Sequence, residues 1–151
     1  MLEYAQTVWS SYFVKDIEVL ERVQRRVTRI PLELRGLPYE ERLYQLNLTS
    51  LRERRQRGDL IQTYKIISNY YSVDLNFYQN SDNTNLRGHT KKIGKERCSK
   101  LARTNFFSNR VAYTWNALSQ ETVSAPSVNS FKNRNDTNLL NLNNELVHYG
   151  I

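Results

Sequence analysis

Cysteine, glycine and proline are scarce in this chain of 151 residues, which contains one, five and three of them. The single cysteine, Cys98, excludes an intrachain disulfide and a CxxC zinc half-site. So few turn-forming residues argue against a β-sandwich, which depends on many tight turns. No apolar run reaches the roughly 18 residues of a membrane span, and residues 1–13 lack the basic and apolar regions of a signal peptide. We therefore expect a soluble, intracellular protein, nuclear or cytoplasmic, that is not secreted and does not enter a membrane.

Motifs of common enzymes are also missing. The sequence has no P-loop, no G-x-S-x-G and no H-E-x-x-H. Two-metal phosphoryl transfer needs carboxylates that hold two ions about 3.5–4 Å apart. Each aspartate here stands alone in the sequence: Asp16, Asp59, Asp74, Asp82 and Asp136. We therefore expect no enzymatic activity from this chain on its own, with no catalytic residue, no metal ligand and no cofactor.

Positive charge is concentrated in one segment. The chain has 22 basic and 15 acidic residues, for a net charge of +7. Residues 86–110 carry eight of the basic and one of the acidic residues, whereas the flanking regions are close to neutral. Clustered cations bind nucleic-acid backbones by displacing condensed counterions, although an ordinary solvated loop is the alternative interpretation. The predicted nucleic-acid-binding residues are Arg87, Lys91, Lys92, Lys95, Arg97, Lys100, Arg103 and Arg110. We expect His89, within this segment, to be an exposed histidine.

Helical periodicity dominates the first half of the chain. Residues 15–30 carry an apolar stripe at three- and four-residue steps, formed by Ile17, Leu20, Val23, Val27 and Ile30. A short helix over 37–46 is expected to turn Leu43 and Leu46 inward and to end in a turn at residues 47–49. A longer helix is predicted over 50–71, with Ser50 and Glu53 as a capping box and with Tyr71 on its buried stripe.

The second half alternates polar and helical segments. Residues 72–86 are predicted to form a polar loop, followed by the basic segment and by a helix that buries Phe107, Val111, Trp115 and Leu118. A final helix is expected to be capped by Ser127 and to bury Phe131. The fold class is therefore all-α: an irregular bundle of about five or six helices with a polar loop and a basic segment in the middle. We divide it into an N-terminal helical half at 1–71, a connecting segment at 72–103, a C-terminal helical half at 104–135 and an Asn-rich tail at 136–151.

Three blocks in order resemble a known family. They are LEYAQTVWSSYFVKDIEVLERVQRR, YEERLYQLNLTSLRERRQRGDLIQTYKII, and RTNFFSNRVAYTWNAL with VSAPSVNSFKNR. Together they are similar to the C-terminal part of reverse transcriptases of non-LTR (LINE, jockey-like) retrotransposons, over nearly the whole chain. The resemblance implies the polymerase thumb and the helical region after it, which handle the template–primer and perform no chemistry. It also implies that the intact polymerase uses Mg²⁺, and that the missing palm and fingers are a possible partner.

The chain departs from the family at several points. In the family, fingers and palm precede the block that begins at Leu2, and the aromatic-x-Asp-Asp turn of the palm is absent here. Ser119 stands where similar sequences usually carry proline, and those sequences usually place a leucine near Asn135, within the final helix. These departures predict a fragment of an RNA-directed DNA polymerase that lacks polymerase activity and binds the backbone of RNA, DNA or an RNA–DNA hybrid.

Two other functions remain open at this point. One is a helical protein–protein interaction or structural module with no nucleic-acid role, which uses the exposed faces of the first two long helices. The other is an enzyme fragment that acts only when a separate chain supplies the palm.

Overall fold

The computed structural model describes residues 13–71 and 88–137, together with Thr7 and Ser11. The fold class is all-α, as the sequence predicts. The predictions for residues 72–87 and for the tail after residue 137 lie outside the described residues. Among the described helices, none is long and apolar enough to cross a membrane. The helices are α1 (Val14–Val27), a 3₁₀ turn (Leu32–Leu34), α2 (Tyr39–Gln45), α3 (Leu51–Ile67), α4 (Leu101–Thr104), α5 (Phe107–Asn116), α6 (Gln120–Val123) and α7 (128–137).

Side-chain and backbone caps set the ends of the long helices. The predicted capping box is confirmed, because the Ser50 N–H donates to Glu53 Oε2 at 3.0 Å and the Glu53 N–H donates to Ser50 Oγ at 3.2 Å. Asn69 has a φ of +57° just after α3, and its neighbour Tyr70 donates to the Lys65 carbonyl at 2.9 Å. This left-handed cap closes the last turn of the helix. The predicted extension of α3 to residue 71 is therefore wrong, and Tyr71 is 42% exposed instead of buried on the stripe.

The chain forms two compact units, Met1–Gly58 and Asp59–Ile151, whose boundary falls within α3. The four-part division given by the sequence stays a prediction. In the first unit, one carboxylate joins three helices. Glu21 on α1 accepts the Tyr39 hydroxyl at 2.5 Å and the Leu51 N–H, at the start of α3, at 3.1 Å. Burial and this hydrogen bond raise the pKa of Tyr39 to about 12.

The apolar stripe predicted for α1 is only partly buried. Ile17 and Leu20 are half-buried, whereas Val23 and Val27 are 43% and 55% exposed and Ile30, after the helix, is 68% exposed. The inner side of the helix also makes polar contacts: Gln24 donates to the Thr49 carbonyl at 2.9 Å, and Thr28 Oγ1 accepts from Arg42 Nε at 3.2 Å. Hydrogen bonds therefore attach α1 to its unit, and its valines are left on the outer face.

An aromatic core holds the second unit together. The rings of Tyr64 and Phe131 stack with centroids 4.4 Å apart, and Trp115 lies 6.0 Å from Phe131. Val111, Trp115 and Phe131 are buried as predicted, whereas Phe107 and Leu118 pack at the edge of the core. Stacked aromatic pairs of this kind add roughly 0.5–1.5 kcal/mol beyond the burial of their area.

Two serines begin the helices at the end of this unit. Ser127 Oγ accepts the Ser130 N–H at 3.2 Å, which confirms the predicted cap of α7. Ser119 Oγ accepts the Thr122 N–H at 3.2 Å and so caps α6. Ser119 is therefore the N-terminal cap of this helix.

Candidate nucleic-acid interface

The basic segment, residues 88–103, is attached to α5 by two asparagine side chains. Asn116 pairs with both backbone groups of Ile93: its Oδ1 accepts the N–H at 2.9 Å, and its Nδ2 donates to the carbonyl at 2.8 Å. Asn109 Oδ1 accepts the Glu96 N–H at 3.1 Å. The Ile93 side chain is buried in the core of the unit. The segment is thus anchored at several backbone positions, which fixes where its charged side chains emerge.

His89 is a further anchor and not the exposed histidine that the sequence predicts. Only 2% of it is exposed, because its ring packs edge-on against Trp115. Nδ1 accepts the Lys91 N–H at 3.2 Å, so the proton of the neutral ring is on Nε2, which donates to the Trp115 carbonyl at 2.9 Å. Burial lowers the pKa of His89 and outweighs the opposing effect of its hydrogen bond to the Trp115 carbonyl.

Gly88 begins the described part of the segment in a conformation that requires glycine. Its φ is +113°, and a Cβ at this position would lie 2.9 Å from Lys92 Cε. The observed geometry supplies a conformational reason for this glycine.

Three predicted site residues are exposed on the anchored segment. Lys95 and Arg97 are exposed, whereas Gly94, Glu96 and Cys98 between and beside them are half-buried. This alternation of exposed and half-buried residues indicates that Lys95 and Arg97 emerge on the same side of the segment. Lys100 is exposed just before α4. These three residues, Lys95, Arg97 and Lys100, are named the cation row below.

The other predicted residues are engaged within the unit or lie outside the described ranges. Arg110 forms a two-point ion pair with Asp59, at 2.8 Å from Nε and 2.9 Å from Nη2. Arg103 pairs in the same way with Glu96, at 2.9 and 3.0 Å. Lys91 Nζ donates to the Val123 carbonyl at 3.3 Å. Lys92 is half-buried, and Arg87 lies outside the described residues.

The ion pair of Arg110 has a structural consequence. Its side chain and that of Asp59 are 17% and 11% exposed, so the pair is mostly removed from water. Removing one partner would leave the other charge buried without compensation, which costs several kcal/mol. Arg110 therefore stabilises the unit by joining α3 to α5, and it is not part of the cation row.

Sequence reasoning missed the two asparagines that position the segment. Asn109 and Asn116 lie seven positions apart on α5, which is close to two helical turns, so both project toward the same side. Buried amides generally need hydrogen-bond partners, and a neighbouring chain segment with unpaired backbone groups can supply them. The spacing is a signal that such a segment runs along the helix.

The magnesium implied by the family resemblance does not fit the residues that the structure describes. Within residues 13–71 and 88–137, no group of three or more His, Cys, Asp or Glu side chains is placed to hold a metal ion. Asp59 is committed to Arg110. No chemical step through a metal is derived for these residues.

Comparison of the chain with models of protein families, with curated proteins and with solved structures gave no match.

Proposed function

We propose that this chain binds the sugar–phosphate backbone of nucleic acid through the cation row, Lys95, Arg97 and Lys100. We further propose the origin suggested by the sequence: a C-terminal fragment of a non-LTR reverse transcriptase that has kept a contact with the nucleic-acid backbone. On its own the chain has no polymerase activity, because the Asp-Asp motif of the palm is absent from its sequence.

The observation that supports this proposal is the anchoring of the basic segment. Flexible cations lose conformational freedom when they bind, and that loss weakens the complex. Here Asn116 and Asn109 fix the backbone at Ile93 and Glu96, on either side of Lys95. The ordered backbone reduces the cost of placing the cation row along a phosphate chain.

The test compares two variants of equal charge. In the first, Lys95, Arg97 and Lys100 are replaced by Ala. In the second, three exposed arginines of the first unit, Arg26, Arg29 and Arg35, are replaced by Ala. We expect the first variant to lose about tenfold or more in affinity for an oligonucleotide at low salt, since exposed charge pairs contribute roughly 0.2–1 kcal/mol each. The second variant should lose much less. If both variants lose the same affinity, binding depends only on the net charge of the chain, and the proposal of a defined site is contradicted.

A second candidate function is self-association through the outer face of α1. Val19, Val23 and Val27 form an exposed apolar ridge at four-residue spacing. Adjacent helical positions beside this ridge carry the exposed cations Lys15, Arg22, Arg26 and Arg29. Packing two ridges together buries the valines but brings cations of the two copies near one another. Salt should therefore strengthen this association, the opposite of its effect on nucleic-acid binding.

Light scattering tests the second candidate at rising protein concentration. A dimer that forms more readily at higher salt, and that the double substitution Val23→Asn and Val27→Asn abolishes, supports self-association. A monomer under all these conditions contradicts it.

A further inference from the structure

Two aromatic side chains are exposed on α5, the helix whose asparagines hold the basic segment. Phe106, the N-cap of α5, is 41% exposed, and Tyr113 near the middle of the helix is 80% exposed. The sequence alone favours a core position for Phe106, since aromatics at helical spacing are usually buried. In the structure the core side of α5 is formed by Val111 and Trp115 instead, and Phe106 and Tyr113 lie away from it.

The helix aligns these rings with the segment that carries the cation row. Phe106 and Tyr113 are seven positions apart, so they lie nearly in line along α5 and about 10.5 Å apart. Asn109 and Asn116, which hold the basic segment, follow them by three positions each. Residues three apart are neighbours on a helix surface. The row of aromatics therefore runs next to the anchored segment, with Lys95 and Arg97 emerging on that segment's exposed side.

Arg103 extends the aromatic surface at one end. Its guanidinium lies 5.2 Å from the centroid of the Phe106 ring and is held in place by Glu96. Planar cations and aromatic rings both offer flat faces on which a nucleobase can stack.

We propose that the site takes a single strand of nucleic acid, with phosphates along Lys95 and Arg97 and bases stacked on Phe106 and Tyr113. This inference rests on the proposed function and adds the form of the ligand. In a duplex the base faces are covered by neighbouring base pairs, and only their edges are accessible. In a single strand the bases can unstack from one another and lie on aromatic side chains, largely without regard to sequence.

The inference is tested by fluorescence anisotropy with a short labelled oligonucleotide, as a single strand and as a duplex of the same sequence. The variants are Phe106→Ala and Tyr113→Ala, with Tyr113→Phe to keep the ring. The matched control is Tyr44→Ala in the first unit, since Tyr44 is also highly exposed, at 82%. We expect the wild-type protein to prefer the single strand and Tyr113→Ala to weaken that binding about tenfold or more. Tyr44→Ala should bind the single strand as the wild type does, and Tyr113→Phe, which keeps the ring, should bind it more tightly than Tyr113→Ala.

The outcomes separate this inference from the proposal on which it rests. If the duplex binds at least as tightly as the single strand, and if Tyr113→Ala binds the single strand normally, base stacking is refuted while backbone binding by the cation row stands. If the wild-type protein binds neither form, both proposals fail. Because Tyr113 is mostly exposed, Tyr113→Ala keeps the test decisive even if Phe106→Ala does not fold.

Discussion

Two residues that depart from the family resemblance have opposite consequences in the fold. Ser119 forms a helix cap, since its hydroxyl accepts the Thr122 N–H. Asn135 is fully buried, and neither its Oδ1 nor its Nδ2 has a hydrogen-bond partner among the described residues. A buried polar group without a partner destabilises a protein by about 1–3 kcal/mol. Asn135 is therefore a local weakness in the second unit.

Replacing Asn135 by leucine should stabilise the protein. The substitution removes two unpaired polar atoms from a fully buried site on α7 and replaces them with apolar atoms. We expect the free energy of unfolding to rise by about 1–3 kcal/mol, measured by urea denaturation. The control is Asn133→Leu two positions earlier, where the side chain is exposed and the change should stay within about 0.5 kcal/mol. A loss of stability in Asn135→Leu would show that the amide is satisfied in solution.

A second residue-level prediction concerns pH. The pKa of His89 is lowered below its usual 6.5 in the folded protein, so above pH 6.5 the ring is neutral in both the folded and unfolded states. As the pH falls below 6.5, the unfolded state takes up a proton that the folded state resists, and stability is lost until the folded pKa is passed. Protonation of Nδ1 also removes the acceptor for the Lys91 N–H.

Unfolding midpoints in urea between pH 7.5 and pH 5 test this expectation. The wild-type protein should lose stability through this range, and His89→Gln should be less stable at pH 7.5 but less dependent on pH. If stability falls equally steeply with falling pH in the wild-type protein and in His89→Gln, protonation of His89 is not the cause of the loss.

At the scale of elements, the sequence predicted helices better than it predicted which way they face. The capping box of α3 and the Ser127 cap of α7 could be recognised because each depends on residues three positions apart. The exposure of Val23 and Val27 on α1 could not, because the orientation of that helix also depends on Gln24 and Thr28, whose partners are Thr49 and Arg42. Periodicity identifies an apolar side, and only tertiary partners decide whether that side is buried.

Tertiary partners also decide which residues of the candidate site are exposed. The concentration of basic residues in 86–110 is visible in the sequence, but their division into exposed and engaged side chains is not. Arg110 is removed from the site by Asp59, which lies 51 positions earlier in the chain. Arg103 is held by Glu96, the one acidic residue of the segment.

The anchoring of the basic segment by Asn116 is testable as a property of α5. Asn116→Ala removes both hydrogen bonds to Ile93, so the exchange protection of the Ile93 amide should fall by about tenfold or more. Asn116→Asp keeps the acceptor for that amide and should retain more protection. Affinity for nucleic acid should also fall in Asn116→Ala, although no charge is removed. Full protection of Ile93 in Asn116→Ala would contradict the anchoring role.

At the scale of the whole molecule, the all-α class can be predicted from the spacing of apolar residues. The division of the chain into two compact units cannot. The boundary of the two units falls at Gly58, inside a continuous helix, where neither loop composition nor a break in periodicity marks it. The densest positive charge of the chain lies in the second unit, on a segment that an aromatic core and two asparagines hold in place. This arrangement is the basis for assigning nucleic-acid binding to that unit.

The salt dependence of binding tests the central claim most directly. The logarithm of the association constant falls linearly with the logarithm of salt concentration, with a slope of about −0.7 for each phosphate neutralised on a single strand and about −0.9 on a duplex. The wild-type protein should therefore show a steep negative slope, and replacing Lys95, Arg97 and Lys100 by Ala should make the slope shallower by about 2 on a single strand. An unchanged slope in that variant, or wild-type binding that salt does not weaken, would contradict the account.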